Sequence, residues 1–190
     1  GTGTNVSGTS DLAPLAEQAE MIAQLVPSAR KIGMLYCSAE ANSRYQVEEV
    51  KRCLEERGEG YECTLYAFSD SNDISAVVRQ MAAVSDAVYV PTDNTVASNT
   101  QLIDSICRPA GIPIVAGEEG ICSGCGIATL SISYYELGVI TAEMAAEILL
   151  EGADVSSMPV RYDESPVRKY NAELCEALGI TVPEGYAPIE

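Results

Sequence analysis

Short apolar runs alternate along the chain with segments in which apolar residues recur with a helical period. The runs indicate buried strands, and the helical period indicates amphipathic helices between them. The predicted strands are Lys31–Tyr36, Glu62–Phe68, Asp86–Val90 and Ile112–Ala116. They begin about 25–30 residues apart, which is the spacing of βα units. We therefore predict an α/β fold of three αβα layers, with a doubly wound, mainly parallel, Rossmann-like sheet.

The regular alternation of strand and helix patterns changes after Gly126. The sequence predicts a strand, a long helix that Gly152 ends, a short strand and a last short helix. These elements are, in order, Gly126–Ser133, Tyr134–Leu150, Pro159–Tyr162 and Asn171–Leu178. Before this point, apolar positions from Val96 to Ile106 predict one helix.

Acidic residues outnumber basic ones by 28 to 11, so the formal net charge is −17, and the chain has neither His nor Trp. An acidic surface repels phosphates, which excludes most modes of nucleic-acid binding. Without His, Ser-His-Asp and Cys-His catalysis and His-containing zinc sites are excluded. No phosphate-binding glycine motif follows a predicted strand. We expect no metal and no cofactor.

Two cysteine features suggest chemistry of their own. Cys37 ends a predicted strand before a helix, as in phosphatases with a C-x5-R loop, but Arg44 comes one residue late and Glu40 would repel phosphate. Cys122 and Cys125 form a single CxxC pair in a predicted glycine-rich loop, and zinc would need two further ligands. Most of the seven Cys are expected to be small buried residues.

Polar loops follow the predicted strands, at the sheet edge where open parallel sheets bind ligands. Their hydroxyls and amides suit a carboxylate, their acids suit an ammonium group, and a tyrosine ring can stack on a ligand ring. The same residue types also cap helices and favour the first helical turn, so capping is the alternative reading for several of them. The candidate ligand-binding residues are Ser38, Glu40, Asn42, Ser43, Thr92, Asp93, Asn94, Glu118, Glu119, Ser133 and Tyr134.

Several stretches in this order resemble one protein family, the ABC transporter substrate-binding proteins with a type I periplasmic-binding fold. The resemblance runs from about Asn5 to Ile180 and is most specific in PTDNTVAS, GEEG and YYELG. These stretches are Asn5–Pro14, Lys31–Tyr36, Ser38–Ser43, Ser71–Ile74, Tyr89–Ser98, Gly117–Gly120 and Tyr134–Gly138.

The resemblance implies a receptor that binds a small solute, an amino acid in several members, and passes it to an ABC permease. It also implies two Rossmann-like lobes joined by a hinge, with the ligand between them and with Ser133 and Tyr134 near the hinge. Such proteins are exported and lipid-anchored, so an extracytoplasmic lipoprotein is expected. No apolar run in this chain reaches the roughly 18 residues that span a bilayer, and no signal peptide is recognised.

The resemblance assigns residues 1–132 and 159–190 to the C-terminal, ligand-binding lobe. Residues 133–158 would contain a crossover helix of the N-terminal lobe, most of which the chain would lack. The apolar face of helix 134–150 is then expected to repack, swap or form a homodimer. Ser133 stands where the family commonly has Asp, which shifts the role of holding a ligand ammonium to Asp93, Glu118 or Glu119.

Two other functions use a similar fold. One is the ligand-sensing domain of a transcriptional regulator. The other is a small α/β enzyme that depends on Cys37, for which rapid alkylation of the thiol would be the sign.

Overall fold

The computed structural model describes residues 3–189 and consists of short strands and helices that alternate along most of the chain. The strands are β1 (Thr9–Ser10), β2 (Lys31–Cys37), β3 (Glu62–Phe68), β4 (Ala87–Val90), β5 (Ile114–Ala116), β6 (Ala128–Ser131), β7 (Arg161–Tyr162), β8 (Val167–Tyr170) and β9 (Ala187–Pro188). The helices are α1 (Leu15–Leu25), α2 (Ala41–Glu56), α3 (Ile74–Ala82), α4 (Asn94–Ala97), α5 (Thr100–Cys107), α6 (Glu119–Cys125), α7 (Tyr134–Glu151) and α8 (Ala172–Leu178).

The chain forms two compact units. The larger contains Pro14–Ser131 and the residues from Val167 onward, and the smaller contains Ile132–Pro166 and the residues up to Ala13. The smaller unit contains more of the chain than residues 133–158, the segment that the sequence analysis set apart. Its β1 pairs in parallel with β7. The sequence predicts a short strand at Pro159–Tyr162, which contains β7, whereas the two residues of β1 give no pattern that could be read from the sequence.

The larger unit is built on a seven-stranded sheet with the order β3-β2-β4-β5-β6-β8-β9. Neighbouring strands are parallel except β6 and β8, which are antiparallel. Helices α1 and α2 pack together on one face, and α3, α5 and α6 pack on the other. The predicted three-layer α/β fold with a mainly parallel sheet is therefore confirmed. Strand β8 was not predicted, because Arg168 and Lys169 interrupt its apolar pattern.

The central strands are buried on both sides, as expected for a parallel sheet covered by helices. Leu35, Val88, Val90 and Ile114 of neighbouring strands pack with α3, α5 and α6 in one continuous core. On β2, Gly33 lies under α3, and a Cβ atom at this position would lie 2.6 Å from Met81 Cγ. This close approach explains why a glycine interrupts an otherwise bulky strand.

Two sequence expectations about helices are wrong. The stretch from Val96 to Ile106 is two helices, because Asn99 interrupts the helical backbone and its Nδ2 donates to Thr95 O at 2.7 Å. The CxxC pair lies in helix α6 rather than in a loop. Its glycines allow close packing, since a Cβ at Gly124 would lie 2.3 Å from Thr100 Oγ1.

Strand β3 forms one edge of the sheet, and helix α2 covers part of that edge. Glu62 N donates to Arg30 O, and Phe68 O accepts from Ser38 N, so the alternating residues Cys63, Leu65 and Ala67 point their backbone groups away from β2. Lys51 Nζ donates to Cys63 O at 2.8 Å, and Glu55 accepts from Cys63 N at 3.4 Å. Lys51 and Glu55 also pair with each other.

In the smaller unit, α7 buries only part of its apolar surface. Leu137 and Met144 are buried, whereas Leu149 and Leu150 near its end are 80% and 83% exposed. Gly152 ends the helix with a positive φ of 70°, as predicted. Among residues 3–189, no helix combines the length and apolarity that crossing a membrane requires.

Candidate functional site

Three loops of the larger unit meet at the carboxyl edge of the parallel sheet. They follow β2, β4 and β5 and lead into α2, α4 and α6. Nine of the eleven candidate residues lie in these loops or in the first turns of the helices that follow.

Glu40 joins the loop after β2 to the start of α4. Its Oε2 accepts from Asn94 N at 3.0 Å and from Asn94 Nδ2 at 3.2 Å. Its Oε1 accepts from Thr95 N at 3.0 Å and from Thr95 Oγ1 at 2.9 Å. Partial burial opposes ionisation of Glu40, but these four hydrogen bonds outweigh it, so the pKa of this carboxyl lies below its ordinary value.

Asp93 lies beneath the same loop and is only 1% exposed. Its Oδ2 accepts from Cys37 N at 2.7 Å, and its Oδ1 accepts from Val96 N at 2.9 Å, which caps α4. Burial is the main cause that raises the pKa of Asp93, although both backbone hydrogen bonds act in the opposite direction. The charge of Glu40 raises it further. The capping alternative therefore holds for Asp93.

The backbone of Thr92 is held by three side chains of α2. Asn42 Nδ2 and Ser43 Oγ donate to Thr92 O at 2.9 and 3.1 Å. Gln46 Oε1 accepts from Thr92 N at 3.0 Å. Ser43 and Gln46 are buried, whereas Asn42 is exposed. The loops after β2 and β4 thus form one connected structure.

The loop after β5 approaches this structure through Gly117. A Cβ atom there would lie 2.5 Å from Thr92 N, so only glycine fits. Thr92 Oγ1 and Gln18 Nε2 both donate to Gly117 O at 3.4 Å. Gln18 Oε1 in turn accepts from the buried Tyr89 hydroxyl at 2.5 Å.

Glu118 and Glu119 have different partners at the start of α6. Glu118 caps the helix by accepting from Gly120 N at 2.7 Å and from Ile121 N at 2.5 Å. Glu119 accepts from Lys169 Nζ at 2.8 Å and from Ser131 Oγ at 2.7 Å. The hydrogen bond from Lys169 is the main cause that lowers the pKa of Glu119.

Ser38 lies at the exposed end of β2, where its Oγ donates to Phe68 O at 3.0 Å. Cys37, the position that suggested an enzyme, is buried beside it, and its Sγ makes a weak contact of 3.8 Å to Ser69 O. All seven cysteines are free, and Cys53 alone among them is not fully buried.

The remaining two candidates, Ser133 and Tyr134, belong to the smaller unit. Ser133 Oγ caps α7 by accepting from Glu136 N at 3.2 Å. Ser133 N donates to Asp163 Oδ2 at 2.7 Å. Tyr134 is 63% exposed, and its hydroxyl donates to Asp11 at 3.2 Å. A pocket of about 530 Å³ beside α7 is lined by Glu136, Glu143, Arg161, Asp163 and their neighbours.

Several residues that shape the site were missed by the sequence analysis. Gln18 and Gln46 lie on helices, and their side-chain amides are buried. A polar residue within an otherwise apolar helix face was the sequence signal that could have identified them. Thr95 and Lys169 gave no such signal, because only the fold brings them to Glu40 and Glu119. Among residues 3–189, no three acidic or cysteine side chains converge as metal ligands.

The sequence and the fold of this chain are similar to those of known proteins. The sequence profile described as ABC transporter substrate binding protein matches residues 1–187. A tyrosine-binding protein of Clostridioides difficile (strain R20291) is 35% identical over 158 residues, which is 83% of this chain and 45% of the relative.

Two solved structures are similar over nearly the whole chain. One is an ABC domain from Streptococcus pneumonia in complex with L-Trp, with a TM-score of 0.85, 33% identity and coverage of 99% of this chain and 66% of the other. The second is the ligand-free, open structure of a Clostridium difficile substrate-binding protein with adhesive properties, with a TM-score of 0.81, 33% identity and coverage of 99% and 63%. The chain thus spans less than two thirds of the length of these relatives.

Proposed function

Because the chain belongs to the family of ABC transporter substrate-binding proteins, we propose that it is the ligand-facing part of an uptake receptor for an amino acid. The family and the solved neighbours are substrate-binding proteins and not enzymes. The alternative of a Cys37-dependent enzyme is therefore set aside. The buried position of Cys37 agrees with this outcome.

An aromatic amino acid is the ligand class that the relatives favour. One relative is named for tyrosine, and a similar structure was solved with L-Trp. The L-Trp complex carries the proposal, since its similarity covers almost all of this chain. The candidate edge also has the required chemistry, because its carboxylates suit an ammonium and its amides and hydroxyls suit a carboxylate.

We propose that six of the exposed or half-buried candidates contact the ligand directly: Ser38, Asn42, Thr92, Asn94, Glu118 and Glu119. The half-buried Glu40 is not among them, because its carboxylate already accepts four hydrogen bonds from the protein. Ser43 and Asp93 are buried and are proposed to hold the loops in place. Asp93, Glu118 and Glu119 were the acids considered for binding the ligand ammonium. Because Asp93 is buried, Glu118 and Glu119 remain. Ser133 and Tyr134 are proposed hinge residues, with the Tyr134 ring available for stacking.

The wider context is also part of the proposal. The parent protein would be extracytoplasmic, anchored by a lipid and matched to an ABC permease. Residues 1–132 and 159–190 would serve as the ligand-binding lobe, and residues 133–158 would complete the other lobe. Leu149 and Leu150 are exposed, which supports the proposal that helix 134–150 packs against a further partner. A second copy of this chain, as in the homodimer expected from the sequence, is one such partner.

The test uses the lack of Trp in this chain. When excitation is restricted to the red edge of the absorption band, emission comes only from added L-Trp, so a titration reports ligand binding directly. Competition with L-Tyr, glucose and adenosine defines the ligand class. A ligand at about 100 times its Kd is expected to stabilise the chain by about 2.7 kcal/mol, which a thermal melt detects.

Saturable binding of L-Trp or L-Tyr supports the proposal. Binding of glucose or adenosine alone would overturn the amino-acid assignment. Failure to bind any of the four compounds would overturn the proposal that this chain recognises its ligand by itself.

A further inference from the structure

Glu40 occupies an unusual position for a helix-capping residue. It immediately precedes α2, but its side chain makes no capping hydrogen bond to that helix. Instead its carboxylate reaches across the edge to the first backbone amides of α4, 54 and 55 residues away in sequence. The residue therefore joins two separate loops of the proposed binding edge.

The contacts of Glu40 also fix the orientation of one exposed side chain. Asn94 Nδ2 donates to Glu40 Oε2, so the carboxamide of Asn94 turns its nitrogen towards Glu40. Its Oδ1 then lies on the opposite side, and no hydrogen bond to this oxygen occurs within residues 3–189. Asn94 is exposed, so this oxygen can accept a hydrogen bond from a bound molecule.

Glu40 itself is poorly placed to bind a ligand ammonium. Each carboxylate oxygen already accepts two hydrogen bonds from the protein, which fills the lone-pair sites of the group. A direct ionic contact would have to replace some of these bonds. The residue is therefore better suited to act through Asn94 than to touch the ligand.

We infer that Glu40 is a positioning residue of the binding edge, which holds the Asn94 carboxamide so that Oδ1 accepts a hydrogen bond from the ammonium group of an amino acid. This inference rests on the proposed function. It assigns to Asn94 the direct contact and to Glu40 the geometry of that contact. Asn42, Ser43 and Gln46 of α2 hold the backbone of the neighbouring Thr92, which limits movement of this loop.

The central variant is Glu40→Gln, which keeps the size of the side chain. One oxygen becomes an NH₂ group, which cannot accept the hydrogen bonds that Asn94 or Thr95 donate. We expect amide hydrogen exchange to accelerate about fivefold to tenfold at whichever of these two residues faces the NH₂ group, as the loss of about one hydrogen bond predicts. The Kd for L-Trp is expected to rise by a similar factor.

Glu48→Gln is the matched control. It makes the same change of charge within α2, the helix that Glu40 immediately precedes, and Glu48 is exposed and paired with Arg44. Neither amide exchange at residues 94 and 95 nor the Kd should change. An equal loss of affinity in both variants would assign the effect to net charge and overturn the inference.

A second substitution separates positioning from stability. Adding Asn94→Asp to Glu40→Gln gives the glutamine NH₂ a carboxylate to donate to and restores a fixed acceptor at position 94. We expect this pair to recover most of the lost affinity. Because a carboxylate at position 94 also attracts an ammonium directly, the pair is compared with Asn94→Asp alone. Recovery in the pair beyond the gain that Asn94→Asp gives alone supports positioning, and its absence would contradict the inference.

The remaining outcomes are also decisive. If Glu40→Gln does not fold, Asn94→Ala replaces it, because this variant removes the presented oxygen and leaves both backbone contacts to Glu40. An unchanged Kd in Asn94→Ala, or in folded Glu40→Gln, would overturn the inference while the proposed function stands. A wild-type chain that binds neither L-Trp nor L-Tyr would overturn the proposed function, and the role of Glu40 with it.

Discussion

Two aspartates at the ends of β4 have opposite electrostatic environments. Asp86 precedes the strand and accepts from Lys31 N at 2.8 Å and Arg30 N at 2.9 Å. These backbone hydrogen bonds are the main cause that lowers its pKa. Asp93 follows the strand, and burial raises its pKa. One residue type at two ends of a strand thus serves different purposes, because solvent reaches Asp86 and not Asp93.

The two shifts contribute to stability in opposite pH ranges. A lowered pKa means that Asp86 stabilises the fold above the pKa of the unfolded chain, and this contribution is lost as the pH falls through the folded pKa. A raised pKa means the reverse for Asp93. Its contribution is complete below the unfolded pKa and is lost as the pH rises through the folded pKa.

Asp86→Ala is expected to lower the free energy of unfolding at neutral pH by about 1 kcal/mol or less, because two hydrogen bonds are lost at an exposed site where water screens the charge. The difference from wild type should shrink as the pH falls through the folded pKa of Asp86, since the wild-type carboxylate then becomes protonated. Urea unfolding at neutral and acidic pH measures both values. A difference that stays constant with pH would contradict the electrostatic explanation.

At the scale of elements, the site depends on how closely two strand ends approach. Gly117 after β5 meets the backbone of Pro91 and Thr92 after β4. A side chain at position 117 would separate the two loops and move Asn94 with them. The tight contact therefore shapes the candidate site as well as the sheet edge.

Gly117→Ala is expected to destabilise the chain by about 1–3 kcal/mol, because the added Cβ overlaps backbone atoms that cannot turn away. It should also weaken binding of L-Trp. Gly138→Ala is the matched control, since nothing lies within 4 Å of a Cβ at this helical position. There we expect a gain of up to about 1 kcal/mol from helix propensity. Thermal or urea unfolding of both variants, with a binding titration, tests this pair.

The elements that could be predicted from the sequence are those with a long apolar pattern. Strands β2 and β3 and helix α7 were placed to within a residue or two, because each has at least seven residues of consistent periodicity. Helix α6 was missed because its Gly and Cys residues resemble a loop, and only Glu118 caps it. The loops of the site were located correctly, but the partners of their side chains depend on contacts between distant segments.

At the scale of the whole molecule, the sequence predicted the family and the fold, and the assignment of residues 133–158 to a second lobe stays a prediction. The residues up to Ala13 and those from 159 to 166 join α7 through β1, β7 and a hydrogen bond of 2.9 Å between Thr9 and Thr141. Such short pairings follow from the path of the chain and leave no periodic pattern. The apolar face of α7 could be read from the sequence, and part of it is exposed.

The exposed end of α7 gives a prediction about assembly. Replacing Leu149 and Leu150 by Ser should change the free energy of unfolding of the monomer by about 0.5 kcal/mol or less, because both side chains are already in solvent. If helix 134–150 mediates a homodimer, the same change should shift sedimentation towards the monomer. Leu137→Ala, a buried position of the same helix, should cost about 2–5 kcal/mol. Equal destabilisation by both changes would contradict the exposed position of Leu149 and Leu150.

The side chains of α2 that bind the edge of β3 also limit fibril growth. An incoming strand would have to displace Lys51 and Glu55 before it could pair with Cys63. Beyond that point only Leu65 and Ala67 offer outward backbone groups on β3, which is too short a ladder to hold a further strand in register. We therefore expect Lys51 and Glu55, which occupy the outward backbone groups at Cys63, to make β3 a poor template for amyloid-like stacking.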